Sequence, residues 1–92
     1  MSKPSTSTPP TQCFRVLVDS NMEAVIWVLH PFAERNLQPQ FITIRSVDGS
    51  LSITAYFSEL GDAEALALVG KLLRTPKVRA ATVETIVATS RS

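Results

Sequence analysis

The chain has 92 residues, a formal net charge of +1 and a single cysteine. This length fits one domain, and the near-neutral charge gives no electrostatic reason to expect nucleic acid as a partner. The lone Cys13 excludes an internal disulfide framework and a local cysteine metal motif. No apolar run approaches the roughly 18 residues that a membrane span requires, so no membrane partner is expected.

The two ends of the chain differ in composition from its middle. Residues 1–11 are mainly Ser, Thr and Pro without the apolar stretch of a signal peptide, so they are predicted to be a disordered tail. Residues 88–92 are predicted to be a frayed C-terminal tail, which leaves 12–87 as the domain. The expected location is the cytoplasm. Because so small a domain is marginally stable alone, association is expected to help it.

Alternating apolar residues predict strands at 13–18, 41–44 and 51–57. Asp48-Gly49 between the last two predicts a type I′ hairpin turn, in which Phe41 faces Tyr56 and Val47 faces Ser50. The more apolar face of this hairpin is predicted to lie under the helices; it carries Ile42, Ile44, Leu51, Ile53, Ala55 and Phe57.

Helical spacing predicts a first helix over about 22–36. Ser20 and Glu23 fit a capping box at its start, and Pro31 predicts a kink or restart near His30. Trp27 is expected on the side opposite the apolar stripe. That stripe is predicted to be buried and consists of Met22, Val25, Ile26, Leu29, Phe32 and Ala33.

A second helix is predicted over about 62–74, with Asp62 as its N-cap and Thr75-Pro76 as its end. Its predicted buried stripe is Leu66, Val69, Leu72 and Leu73. The last strand is predicted at 78–87. The order βαββαβ predicts an α+β, ferredoxin-like fold: a four-stranded antiparallel sheet with two helices on one face.

Three segments of the chain carry a family resemblance: Val16-Leu17-Val18-Asp19, the segment from Phe32 to Leu37, and Lys71-Leu72-Leu73 followed by Val78. On these residues, and over about 12–87, the chain resembles ACT domains, the small effector-binding modules of amino-acid metabolism. The likeness is greatest to the small single-domain regulatory subunits of acetolactate synthase. It implies a non-catalytic regulatory domain that dimerises and binds either an amino acid effector or an enzyme catalytic subunit.

The resemblance places an effector site in the turn before the first helix. The candidate effector-binding residues are Asp19, Ser20, Asn21, Met22 and Glu23. Amides at a helix N-terminus suit an amino acid's carboxylate. Glu23 stands where many family members have glycine, and Met22 where proline is usual. A glutamate that caps this turn would occupy the amides and repel a carboxylate, or it would pair with the ligand's ammonium group.

The remaining chemistry of the chain is sparse. Cys13 fits an inert strand residue better than a redox thiol, and His30 a surface histidine better than a pH switch or ligand. The sequence shows no catalytic constellation, so the prediction is that the protein is not an enzyme and has no cofactor or metal.

Two surfaces are predicted to be interfaces, and a homodimer is expected to form through one or the other of them. The open face of the sheet carries Phe41, Tyr56, Leu17 and Arg45, and the outer side of the first helix carries Trp27. One alternative is a structural or assembly module whose ligand site has been lost. Another is single-stranded nucleic-acid binding through Tyr56 and Phe41, which the lack of basic residues in 51–57 disfavours.

Overall fold

The computed structural model describes residues 11–86. Its elements are β1 (Thr11–Asp19), α1 (Met22–Glu34), β2 (Phe41–Val47), β3 (Ser50–Phe57), α2 (Asp62–Leu73) and β4 (Val78–Ile86). The four strands form one antiparallel sheet in the order β2-β3-β1-β4. This confirms the predicted ferredoxin-like fold class. The predicted tails lie outside the described residues, except that residue 11 is the first of β1.

The hairpin between β2 and β3 has the predicted turn. Asp48 and Gly49 both have positive φ, 47° and 77°, which is the signature of a type I′ turn. The predicted register is also confirmed, since Phe41 faces Tyr56 and Val47 faces Ser50. A two-residue turn fixes the pairing register of the two strands, so it also determines which face of the sheet each side chain of β2 occupies.

The core lies between the sheet and the two helices. Its centre is aromatic: Phe14 of β1 meets Phe32 of α1 edge to face at 5.0 Å, and Phe32 stacks on Phe57 of β3 at 4.5 Å. Such aromatic pairs contribute about 0.5–1.5 kcal/mol each beyond the area they bury. The remaining buried apolar residues of the core are Val16, Val18, Ala24, Val25, Val28, Ile53, Ala55, Leu60, Ala65, Leu68, Leu72 and Ala81.

Helix α1 is rotated relative to the predicted stripe. Its buried residues are Ala24, Val25, Val28, Pro31 and Phe32. Val25 and Phe32 were predicted correctly, whereas Met22, Ile26 and Ala33 are exposed. Apolar residues occupy more than half of this helix's circumference, so their spacing alone does not determine which side faces the sheet.

The ends of α1 are held by its own backbone and side chains. Its N-cap is Asn21, so the prediction of Ser20 was wrong by one residue. At the other end Asn36 adopts φ 58°, and the amides of Asn36 and Leu37 donate to the carbonyls of Ala33 and Phe32 at 3.0 Å. This is the Schellman pattern that ends many helices.

Pro31 lies within one continuous helix, so of the predicted kink or restart near His30 the restart was wrong. Proline removes a single hydrogen bond here, the one to the carbonyl of Trp27. The Pro31 ring is buried, and this contact offsets the lost bond.

The second helix and the edge strand β2 depart from prediction in a similar way. In α2 the buried residues are Ala65, Leu68 and Leu72, so the predictions for Leu66 and Leu73 were wrong. On β2 the helix-facing side chain of Ile44 was predicted to be covered and is 41% exposed. Helix α1 lies over the centre of the sheet and leaves this edge open.

Candidate ligand loop and interaction surfaces

The five predicted effector-binding residues, 19–23, form the turn between β1 and α1, here called the ligand loop. Its first residue, Asp19, is hydrogen-bonded to residues at the start of β4 and in the turn before it. The carboxylate of Asp19 accepts a hydrogen bond from Nε of Arg79 at 2.7 Å, and the Asp19 amide donates to the carbonyl of Lys77 at 3.0 Å. The loop and the turn before β4 therefore form one connected rim.

The amides at the start of α1 are largely occupied by Asn21. Its Oδ1 accepts from the Glu23 amide at 2.8 Å, and its carbonyl accepts from the Ala24 amide at 2.9 Å. The predicted capping box of Ser20 and Glu23 was wrong, because the N-cap is Asn21 and it is the Asn21 side chain that accepts a hydrogen bond from the first turn of the helix. The Glu23 carboxylate is exposed instead.

The rim carries charges of both signs. Asp19 and Glu23 of the loop supply carboxylates, and Lys77 and Arg79 near the start of β4 supply cations, of which Arg79 is paired with Asp19. Within residues 11–86 the Glu23 carboxylate takes part in no ion pair. A free α-amino acid carries one ammonium and one carboxylate, so a rim of this kind offers each of them an opposite charge.

The open face of the sheet is centred on two aromatic side chains. Phe41 and Tyr56 lie across from each other with ring centroids 6.0 Å apart. Next to Tyr56 on β1 is the fully buried Cys13. The neighbouring Cys13 side chain raises the pKa of Tyr56 above its ordinary value.

Around this pair the open face is mixed in polarity. Arg15 and Glu84 form an ion pair at 3.0 Å, and Glu84 raises the pKa of the Arg15 guanidinium. Arg45 is exposed on the same face, whereas Leu17 is half-buried. The predicted interface residues thus share this face in two groups, Phe41 with Tyr56 and, four residues along the strands, Arg45 with Leu17, and their role stays a prediction.

Trp27 lies apart from them on α1, on the side that faces α2. It is 46% exposed, and the neighbouring surface holds two interhelical ion pairs. Glu34 contacts Lys71 at 3.5 Å, and Arg35 contacts Glu64 at 3.2 Å. These pairs show which side of α1 is turned toward α2.

The opposite side of α1 carries an apolar surface that the sequence analysis assigned to the core. We call it the α1 stripe: Met22, Ile26, Leu29 and Ala33. Part of it, with His30, lines an open cleft of about 340 Å³. The spacing of the stripe was visible in the sequence, but two adjacent apolar sides of one helix give no sign of which is buried. A second cleft, of about 410 Å³, is polar and is lined by Asn36, Leu37, Gln38, Ser58 and Glu59.

A polar cluster that sequence reasoning missed joins β1, α2 and β4. Gln12 is buried, and its Nε2 donates to the Leu60 carbonyl at 3.0 Å and to Oδ1 of Asp62 at 2.9 Å. Thr85 donates to Oε1 of Gln12 at 3.0 Å and lies 3.2 Å from Asp62. All four residues are structural, and together they fix the first turn of α2.

Over residues 11–86, no group of three or more His, Cys, Asp or Glu residues is placed to hold a metal ion. No helix in that range has the length and apolarity needed to cross a membrane.

Comparison with known proteins gives structural neighbours and no sequence relatives. No protein-family model matches the chain, and no curated protein matches it. The ACT domain of a GTP pyrophosphokinase of Chlorobium tepidum superposes with a TM-score of 0.70 at 10% identity, over 85% of this chain and 100% of that one.

Two further solved structures are similar. The C-terminal domain of the MgtC protein of Mycobacterium tuberculosis has a TM-score of 0.67 at 15% identity, over 89% of this chain and 93% of that one. An uncharacterized protein of Thermotoga maritima has a TM-score of 0.65 at 20% identity, over 84% and 96%. At these identities the likeness shows the fold: the chain has the ferredoxin-like arrangement of an ACT domain.

Proposed function

We propose that this protein is a non-catalytic regulatory domain of amino-acid metabolism, acting in the cytoplasm. It forms a homodimer and binds either an amino acid at the ligand loop or the catalytic subunit of an enzyme. The observation that carries the proposal is the ACT-like fold together with a loop that presents charges of both signs at the position where the family resemblance implies an effector.

The amino acid would be held by the rim rather than by bare helix amides. Asn21 already occupies the Glu23 amide, and its carbonyl bonds the next one. The ligand's carboxylate then faces Lys77 and the outer side of Arg79, whose Nε is paired with Asp19, and its ammonium faces Glu23. Charge-assisted bonds of this type are stronger than neutral ones, which compensates for the missing amides.

A thermal-shift screen of the twenty amino acids tests this directly. A ligand that binds only the native state at 100 times its dissociation constant stabilises by about 2.7 kcal/mol, which for a domain of this size raises Tm by roughly 10 °C or more. No shift with any amino acid would contradict the effector part of the proposal.

Two arginines provide a matched pair of variants for this screen. Arg79 and Arg15 each have side chains 57% exposed and each form one ion pair, but only Arg79 borders the ligand loop. Arg79→Ala should abolish the ligand-dependent shift, and Arg15→Ala should leave it intact. Equal loss in both variants would place the ligand elsewhere.

A second candidate is an assembly module whose ligand site has been lost. The occupied amides at the start of α1 favour it, since they leave only the Met22 amide of the first three without a partner within residues 11–86. Under this alternative no amino acid raises the Tm in the screen, while the protein still binds an enzyme subunit. The resemblance makes the catalytic subunit of acetolactate synthase the first to test, by co-sedimentation and by its activity with and without this protein.

A further inference from the structure

Positive charge is concentrated in one short segment of this chain. Four of its nine lysine and arginine residues lie within 71–79. They are Lys71, Arg74, Lys77 and Arg79. None of the eight acidic residues lies between Glu64 and Glu84, so the segment has no negative charge of its own. On a chain whose net charge is only +1, this is a local excess that favours an anionic group.

The fold places the end of this segment beside the ligand loop. Residues 74–77, here called the α2–β4 turn, lie between the last residue of α2 and the first of β4. The amide of Asp19 donates to the carbonyl of Lys77 at 3.0 Å, and the Asp19 carboxylate accepts from Nε of Arg79 at 2.7 Å. Because Asp19 is the first residue of the ligand loop, these bonds make the turn and the loop neighbours.

The backbone of the α2–β4 turn is strained at Lys77. The amide of Val78 donates to the carbonyl of Thr75 at 3.3 Å, which closes a four-residue turn. Pro76 occupies its second position, and Lys77, with φ 72°, its third. This fits a type II turn, in which glycine or asparagine is preferred at the third position because φ is positive there. Lysine is an unfavourable choice for stability at that position, and strain of this kind is concentrated in segments that bind ligands.

Two of the four cations are already neutralised. Lys71 forms an ion pair with α1 at 3.5 Å, and Arg79 forms one with the ligand loop at 2.7 Å. Arg74 and Lys77 are exposed and take part in no ion pair within residues 11–86. The α2–β4 turn therefore presents two positive charges without a partner among the described residues.

The carboxylates of this end of the sheet supply one negative charge to the same place. Asp19 is neutralised by Arg79, whereas Glu23 is exposed and forms no ion pair within residues 11–86. Asp48 also lies at this end, on the turn between β2 and β3. Because β1 lies between β3 and β4, Asp48 and Lys77 are on opposite sides of the ligand loop. The loop and the turn together thus present two cations and one carboxylate.

The complement of that charge set is an amino acid with a second carboxylate. Its ammonium group meets Glu23 and its α-carboxylate meets Lys77, as in the proposed function, while its side-chain carboxylate meets Arg74. The guanidinium group of arginine is always charged, and its parallel N–H donors match the two oxygens of a carboxylate. A neutral amino acid would leave one of the two cations without a partner.

We propose that the ligand loop and the α2–β4 turn together bind a dicarboxylic amino acid, aspartate or glutamate, and that Arg74 recognises its second carboxylate. The inference rests on the proposed function, because it names the class of effector that is bound at the same site. It adds a subsite on the α2–β4 turn, which lies outside the loop residues 19–23 that the family resemblance implies.

Isothermal titration calorimetry of the full chain with L-aspartate and L-asparagine tests the class of ligand. These two amino acids have nearly the same shape and differ in the charge of one group. We expect aspartate to bind at least about tenfold more tightly at low salt, and the ratio to shrink as salt rises, because salt screens exposed charges. L-glutamate and L-glutamine form a second pair of the same kind. Equal affinity for acid and amide in both pairs would overturn the inference.

Arg74→Gln tests the subsite, and Arg45→Gln is its matched control. Arg45 is also exposed and without an ion pair within residues 11–86, but it lies on the open face of the sheet. Arg74→Gln should weaken aspartate binding at least about tenfold and leave asparagine binding unchanged, whereas Arg45→Gln should change neither. A preference for aspartate that survives Arg74→Gln, or an equal loss in both variants, would overturn the role of Arg74.

Lys77→Gly separates binding from folding. Glycine readily adopts the positive φ of this position, so the Tm of the ligand-free variant should be no lower than that of the unmodified protein. Its affinity for aspartate should nevertheless fall at least about tenfold, because the α-carboxylate loses its partner. A Tm that falls together with the affinity would show that Lys77 serves the fold, and an unchanged affinity would remove it from the site.

The outcomes also separate this inference from the proposed function. Binding of a neutral amino acid that Arg79→Ala abolishes, with no preference for aspartate or glutamate, overturns the dicarboxylic class and keeps an amino acid effector at the ligand loop. Binding of no amino acid at all overturns both the dicarboxylic class and the effector part of the proposed function.

Discussion

Each half of this domain is a strand, a helix and a strand, but the two helices are held in place differently and cover their edge strands differently. In the first half, α1 is capped by a residue of its own turn, Asn21, and leaves the edge strand β2 partly uncovered. In the second, α2 has no side-chain cap, is anchored by Gln12 and Thr85 from the sheet, and packs closely on β4. The half that is fastened by tertiary contacts is closed, and the half that is fastened locally leaves its edge strand exposed.

This difference shows that the two ends of one small sheet are covered unequally. The closed half uses buried polar bonds, a strand irregularity and ion pairs, which hold β4 and α2 to the rest of the domain. The open half has a regular edge strand and an exposed apolar side of its helix. The variants below weaken or strengthen one half at a time.

The largest effect is expected in the open half, at the turn that sets β2. Gly49 has φ 77°, a region that a β-branched residue resists, and a Cβ there would meet nothing within 4 Å. Gly49→Val should therefore destabilise through backbone strain alone, by about 2–3 kcal/mol. A urea titration measures the loss, and an unchanged midpoint would contradict the type I′ turn.

The closed half should be most sensitive at Gln12. Gln12→Leu keeps the volume but removes the donor to Leu60 and Asp62 and the acceptor for Thr85. We expect a loss of about 1–2 kcal/mol, because buried polar groups lose their partners. Amide exchange should show the first turn of α2 opening more readily than α1. Equal protection of the two helices would mean that the cluster does not anchor α2.

Removing the local cap of α1 should lower the free energy of unfolding by less than removing the Gln12 contacts that anchor α2. Asn21→Ala removes the acceptor of the Glu23 amide, and replacing such a cap by alanine costs about 1 kcal/mol. Ser20→Ala is the matched control, since Ser20 is not the cap, and it should leave the urea midpoint unchanged. A larger effect at Ser20 would restore the capping box predicted from the sequence.

A smaller effect of opposite sign is expected at Gly70, within α2. A Cβ at Gly70 would meet nothing within 4 Å, and the residue has ordinary helical backbone. Gly70→Ala should stabilise by about 0.5–1 kcal/mol, because alanine has the higher helix propensity. Thermal unfolding measures the gain. Destabilisation would indicate that Gly70 allows a close contact with another chain.

The smallest effect concerns the open sheet face. Because the neighbouring Cys13 side chain raises the pKa of Tyr56 above its ordinary value of 10.0, the folded state holds this proton more tightly than the unfolded state. The stabilisation of the folded state that results from this shift is fully present below pH 10.0 and is lost as pH rises through the pKa of Tyr56 in the folded state. Tyr56 is the only tyrosine, so ultraviolet absorbance titrates it alone. Cys13→Ala should move the midpoint back toward 10.0, and no movement would exclude this contact.

Local signals in the sequence determined the element order, the type I′ turn and the register from Phe41–Tyr56 to Val47–Ser50. They were sufficient because a two-residue turn and an alternation of period two act between near neighbours in the chain. These are also the features that identify the ferredoxin-like fold.

Only the tertiary structure decided which side of each helix is buried. On α1, Ala24 and Val28 face the sheet while Ile26 is exposed, and on α2 Leu68 is buried while Leu66 is exposed. Both helices have two adjacent apolar sides, so hydrophobic spacing is satisfied by either rotation. The choice is made by the position of each helix over the sheet, through contacts with residues distant in the chain such as Phe14 and Phe57. That same choice leaves the α1 stripe and the β2 edge uncovered side by side.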